Sequence, residues 1–407
     1  MQKTIAQNSM PRAEFISLIA VMFATIAFSL DSMLPALPEI GLELSPNDVN
    51  RAQLILTSFV LGMGLGTFFT GPLSDTFGRK PVIYVGSAIY IAASIVAWYA
   101  QSLELVLAAR VVQGVGAAAP RIVAIAIVRD LYSGREMARI MSIAMMIFTI
   151  FPAFAPLMAT GLIAFTGWRG IFLAFVLFSV VTVIWMKFRL PESLPPSERR
   201  PFRMANLWPA VREMFENQTV RLSILVQTLC LAVLFSMLTM VQPVYDVIFD
   251  RAESFPFWFG AVALASGTAS ILNAVLVVRL GMRRMVTWSL GIMIILSSGM
   301  LAMSLSNPPM VVYFGLFVGW QSCVFFMAGT TLGNLNAIAM EPMGHIAGMA
   351  ASVIGSISTV FAAIIVAPLG LFFDGSLLPL TGGICTMLII AFALMLKMGR
   401  VEKRLAL

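Results

Sequence analysis

The chain has 407 residues, 59% of them hydrophobic and only 11% charged, with a formal net charge of +7. Soluble domains carry roughly 45–50% apolar and about 25% charged residues. Water is therefore excluded as the solvent for this much apolar surface, and a lipid bilayer fits. One histidine, His345, and three scattered cysteines, Cys230, Cys323 and Cys385, exclude His-based catalysis, a clustered metal site and a disulfide framework.

A helical span needs about 20 mostly apolar residues. Runs of that kind occur at 15–37, 52–72, 82–101, 104–128, 138–164 and 168–188, and again at 219–244, 256–278, 285–305, 309–332, 346–372 and 376–397. The first run is too long for a signal-peptide core and is expected to remain as the first span. The one long polar stretch, 191–218, divides the chain into a first half, 1–190, and a second, 219–407. Its piece 207–216 is amphipathic and suits a helix on the membrane surface. The expected fold class is an all-α membrane protein of twelve transmembrane helices in two pseudo-symmetric halves.

With both termini in the cytoplasm, cytoplasmic segments hold 21 of the 26 Lys and Arg residues. Outer loops hold three (Arg51, Arg169 and Arg251), and Arg110 and Arg121 stay within the membrane. That bias orients the chain by the positive-inside rule. The basic balance thus reports topology, and no nucleic-acid partner is expected.

In chain order, the first span ends in Asp31-Ser-Met-Leu-Pro35-Ala-Leu-Pro38, placing an acid inside an apolar run. The loop after span 2 reads Gly71-Pro-Leu-Ser-Asp75-Thr-Phe-Gly78-Arg79-Lys80. Gly71 permits close helix approach, Gly78 a tight turn, and Asp75 can cap a helix or pair with a base. Span 4 carries Arg110-Val-Val-Gln113-Gly114-Val-Gly116-Ala117, then Arg121, and finishes in Arg129-Asp130. Span 5 contains Pro152-Ala-Phe-Ala155-Pro156-Leu-Met-Ala159-Thr160-Gly161. In the second half, Gly281, Arg283 and Arg284 echo the Gly78 turn.

The loop after span 2 matches the major facilitator signature G-x-L-S-D-x-x-G-R-K at every defined position, and Arg110-x-x-Gln113-Gly114 resembles that family's span-4 motif. With Asp31 to Pro38, Arg129-Asp130-Leu-Tyr132 and Gly167-Trp168-Arg169, the chain resembles the bicyclomycin-resistance (Bcr/CflA) branch of the twelve-span drug/proton antiporters. The resemblance covers residues 14–200 well and the second half mainly by pattern. Span 5 departs from the antiporter pattern G-x-x-x-G-P-x-x-G-G: it keeps Pro152, Pro156 and Gly161 but has alanines where glycines belong, so a helix-packing role is expected there.

Ionisable groups at membrane depth are functional-site candidates by default. Asp31 and Arg110 both fall roughly 9 Å below the outer surface, which suits a switchable proton-coupling pair; Arg110 would also serve structurally by satisfying backbone carbonyls. Arg121 lies eleven residues, or roughly 16 Å, beyond Arg110 on nearly the same helical face. Arg121, Gln113, Gly114 and Ala117 are therefore expected to line a substrate cavity, where Arg121 binds an anionic or zwitterionic group or shares the counter-ion of Asp31. In an outward-open state Asp75 is expected near Arg129 and the start of span 11, and Arg79 facing Asp130. The absence of HExxH, GxSxG and P-loop patterns argues against an enzyme and against ATP-driven transport within this chain. The expectation is proton-coupled efflux of small molecules across the bacterial inner membrane by alternating access. The partners are substrate, protons and lipid, the chain is a monomer with both termini cytoplasmic, and no cofactor is expected. The alternative is a proton-coupled importer or a narrow-specificity metabolite exporter of the same fold.

Overall fold

The computed structural model describes residues 10–199, 204–306 and 308–405; Lys3, Arg200 and Arg203 of the charge pattern lie outside them. The first half comprises α1 (Arg12–Asp31), α2 (Leu37–Leu44), α3 (Leu54–Phe77), α4 (Arg79–Tyr99), α5 (Leu103–Leu131), α6 (Gly134–Thr166) and α7 (Arg169–Arg189). After α8 (Met204–Glu216) come α9 (Gln218–Pro243), α10 (Phe255–Leu280), α11 (Met282–Leu305), α12 (Met310–Met340), α13 (Ala347–Leu371) and α14 (Leu378–Leu405). All but α8 belong to the twelve helical segments long and apolar enough to cross a bilayer, α1 and α2 sharing the first, Arg12–Leu44.

The helix ends follow local chemistry. Gly78 at φ +100° turns α3 into α4, and Gly281 at φ +82° does the same between α10 and α11, so the repeated Gly–basic pattern marks one turn used twice. Ser102 and Asn217 cap α5 and α9 by accepting backbone N–H bonds. The first span departs from expectation. Pro35 and Pro38 lack N–H donors, so α1 stops at Asp31, a 3₁₀ turn follows, and α2 runs on to Leu44. Glu43 of α2 is held at 2.7 Å by both Trp168 Nε1 and Arg169 Nη1.

The α3–α4 turn, the ends of α5 and α7, the α10–α11 turn and α8 share one end of the bundle, called here the basic end. The halves meet along α3 against α13 and α6 against α10. Small residues set these approaches: Gly64 lies against Val360, Gly71 against Ser352, and Gly260 against the Ala153 carbonyl. Far from the basic end a single apolar core runs through both halves, joining Leu34, Leu37 and Leu56 to Met237, Val241 and Leu377. There Asn50 Nδ2 also donates to Phe373 O across the halves at 2.7 Å. At the basic end each half keeps a core of its own: Phe15, Ile19, Ile127 and Met186 in the first, and Met214, Val220, Ala339 and Ala350 in the second. The bundle is sealed at the far end and, apart from the α3–α13 seam, parted at the basic end.

The linker divides between the halves. Residues 190–194 dock on the first, while α8 buries Met214 against the second. The surface helix expected at 207–216 therefore packs on protein along one face and exposes Trp208 on another.

Candidate functional site

At the basic-end turn, Arg79 is almost fully buried and spends its guanidinium on three neighbours. It grips Asp130 through Nε (2.8 Å) and Nη2 (3.2 Å), and donates through Nη1 to Asp75 (2.6 Å) and Ser74 (2.8 Å). Glu192, which the sequence reading passed over, accepts the backbone N–H of Arg79 and of Lys80, both at 3.0 Å. These are unpaired donors of the first turn of α4, where a negative charge also meets the positive end of the helix dipole. Lys80 Nζ closes the clamp on Leu190 O at 2.6 Å, and Ser193 Oγ donates to Asp130. The only advance signal was an acid three residues beyond the end of α7. Arg129 is exposed, and a Cβ on Gly348 at the start of α13 would sit 3.8 Å from its Nη1. Asp75 bonds Arg79 in this far-sealed state. His345 pairs with Glu213 of α8 at 2.9 Å.

Arg110 is fully buried, and no ion pair joins it to Asp31. Its Nε donates to Ile55 O at 3.3 Å, Nη2 to Ser29 O at 2.9 Å and Nη1 to Gln113 Oε1, while the guanidinium lies 4.3 Å from the Phe59 ring centroid. Gln113 passes the network on to Ser94, and Ser29 bonds Tyr90 at 2.6 Å. The network ties α1, α3, α4 and α5 together, and neither Tyr90 nor Ser94 stood out in the sequence. The expected cavity lining is corrected here. Gln113 and Ala117 have no exposed surface, and Gly114 is clamped against Phe59 O and Met63 N. The reason is the crossing of α5 with α3 and α4 at Gly114 and Gly116, which covers this stripe with backbone.

Asp31 ends α1 with 5% of its surface exposed and no hydrogen-bond partner among the described residues. It lines a small space with Leu34, Leu56 and Thr57 of the first half and Phe235, Thr239 and Ala363 of the second. The space holds about one water. Asp31 thus lies in the seam that seals the far end.

Arg121, on the same helix as Arg110, stands deep inside the bundle yet is exposed and has no partner among the described residues. The described residues contain no cluster of His, Cys, Asp or Glu placed to hold a metal ion.

The comparisons with known proteins decide the family. A family model described as Major Facilitator Superfamily matches residues 18–368. The chain belongs to the Major Facilitator Superfamily. It is 28% identical over 356 residues to a bicyclomycin resistance protein homolog of Haemophilus influenzae, covering 86% of this chain and 87% of that one. It is 32% identical over 168 residues to the multidrug resistance protein MdtL of Shigella flexneri, covering 41% and 43%. A D-xylose–proton symporter crystal structure superposes with a TM-score of 0.75 at 12% identity, over 94% of this chain and 97% of that one.

As a Major Facilitator Superfamily transporter the protein is a multi-pass membrane protein and not an enzyme. Its α6 packs closely through the alanines of span 5, but Gly161 takes no part in that packing. Gly161 is exposed, and a Cβ there would meet nothing within 4 Å. The close contacts are made by alanines instead: Ala153 against Gly260, and Ala155, whose carbonyl accepts from Ser32 Oγ at 3.5 Å. Gly161 sits at the end of α6 beyond the crossing with α10. Pro152 and Pro156 lie within α6, Pro156 buried and Pro152 half-buried.

Proposed function

We propose that this transporter exports small molecules from the bacterial cytoplasm in exchange for protons. In this reading the basic end and both termini are cytoplasmic, the chain acts as a monomer, and Asp31 is the proton carrier. The observation that carries the reading is an acid with no hydrogen-bond partner among the described residues, set between the two halves at the seam that seals the far end. Burying an unpaired carboxylate is costly, so the seam closes over Asp31 only once a proton has neutralised it. Opening of the far end exposes the acid to protons outside and releases substrate. Arg110 holds the carbonyl of Ser29, two residues away, so a rotation of the last turn of α1 brings the carboxylate toward the guanidinium and favours proton discharge. The direction of transport is supported by the names of the resistance-protein relatives, and the orientation by the positive-inside bias.

The test is substrate-dependent proton movement in proteoliposomes of purified protein, read with an internal pH dye across a panel of cationic, neutral and anionic compounds. Asp31→Asn is expected to remain folded and to lose the proton movement. Retained pH-driven transport by that variant refutes the assignment.

A further inference from the structure

We infer that Arg121 is the substrate-recognition cation of the central cavity, and that the transported molecules carry an acidic group, as carboxylates or zwitterions, for it to hold. The inference rests on the export reading and adds the substrate class.

Arg121 lies ten residues before the end of α5, roughly 15 Å in from the basic end. Past Glu104 in its first turn, the exposed positions of α5 toward the far end are Leu105, Ala108 and Val112; toward the basic end they include Arg121, Ile125 and Arg129. At 3.6 residues per turn the two sets point about 130° apart. The first set is apolar and suits lipid. The second faces the space where the halves part.

The protein offers this cation no counter-charge among the described residues. Glu14, Asp75, Asp130, Glu136 and Glu341 each hold another arginine. Asp31 is enclosed in the far seam. Arg110, eleven residues earlier on the same helix, is satisfied by carbonyls and a glutamine; Arg121 has no such bonds among the described residues. While the basic end is open, water solvates the guanidinium. When that end closes, the water leaves and a buried lone cation is costly. A bound anion removes the cost, so an acidic substrate both binds and permits closure, and an empty or cation-loaded cavity resists it.

The experiment is calorimetry on purified protein with matched pairs of aromatic carboxylates and their methyl esters, for wild type, Arg121→Ala and Arg121→Lys. Each variant is first checked for monodispersity and melting temperature. The expected result is a wild-type preference for the acid of about tenfold or more, near parity in R121A, and partial recovery in R121K, which keeps the charge but loses the two-pronged geometry. Equal loss for acid and ester in R121A, or no wild-type preference for the acid, overturns the inference. An anionic headgroup shares this chemistry, so the titration is repeated in nanodiscs with and without phosphatidylglycerol. Displacement of the acid by that lipid assigns the site to a headgroup and overturns the substrate reading. Proton exchange driven by the esters separates the two levels. A wild type that exchanges ester for protons without preferring the acid refutes the role of Arg121 and leaves export standing. A wild type that moves no protons with any compound removes the export reading itself.

Discussion

Gly114→Ala is the substitution on which the packing account of α5 stands or falls. An added Cβ would sit 2.1 Å from Phe59 O and 2.7 Å from Met63 N. Ordinary contact begins near 3.4 Å, so α3 and α5 must part by roughly 1.3 Å. Both neighbouring atoms are backbone, and no side chain can swing aside to absorb the clash. Overpacking of this kind costs on the order of 1–3 kcal/mol, occasionally more. It also strains the bonds by which Arg110 reaches Ile55 O and Ser29 O. Gly161→Ala is the internal control, since its Cβ meets nothing within 4 Å and helix propensity gains up to about 1 kcal/mol. Thermal unfolding followed by tryptophan fluorescence in detergent should show G114A falling by on the order of 5 °C or more, with G161A unchanged or higher. A G114A protein with wild-type melting and altered substrate affinity would refute the packing account and return Gly114 to the cavity wall.

Arg79→Lys removes the two-pronged grip on Asp130 and the bonds to Asp75 and Ser74. It should cost on the order of 1–3 kcal/mol in the state that uses them, slowing transport in vesicles while equilibrium substrate binding is held. Glu192→Gln keeps one acceptor but loses the charge at the start of α4. A loss of about 0.5–2 kcal/mol should appear as a lower melting temperature, and an unchanged one would show the cap to be idle.

Much of this protein is legible in its sequence, because a bilayer constrains sequence harshly. Every backbone polar group must be satisfied within its own helix, so the twelve spans are announced by long apolar runs, and their ends by prolines, glycines and charges. The turn at Gly78 was equally plain, since its glycine and basic residues have few other uses together. The role of each polar residue inside a span was decided only by tertiary structure. Arg110 and Arg121 lie on nearly one face of one helix, and composition gives no reason to separate them. The crossing of α5 over α3 and α4 does so, wrapping Arg110 in carbonyls while leaving Arg121 open. Glu192 escaped notice because a polar linker looks alike whether it is solvated or docked. The sequence assigns Gly114 to the cavity wall and Gly161 to helix packing; what reverses the two is the backbone of a second helix, present at Gly114 and absent at Gly161. Helical periodicity states which residues share a face; what that face meets depends on neighbours distant in the chain.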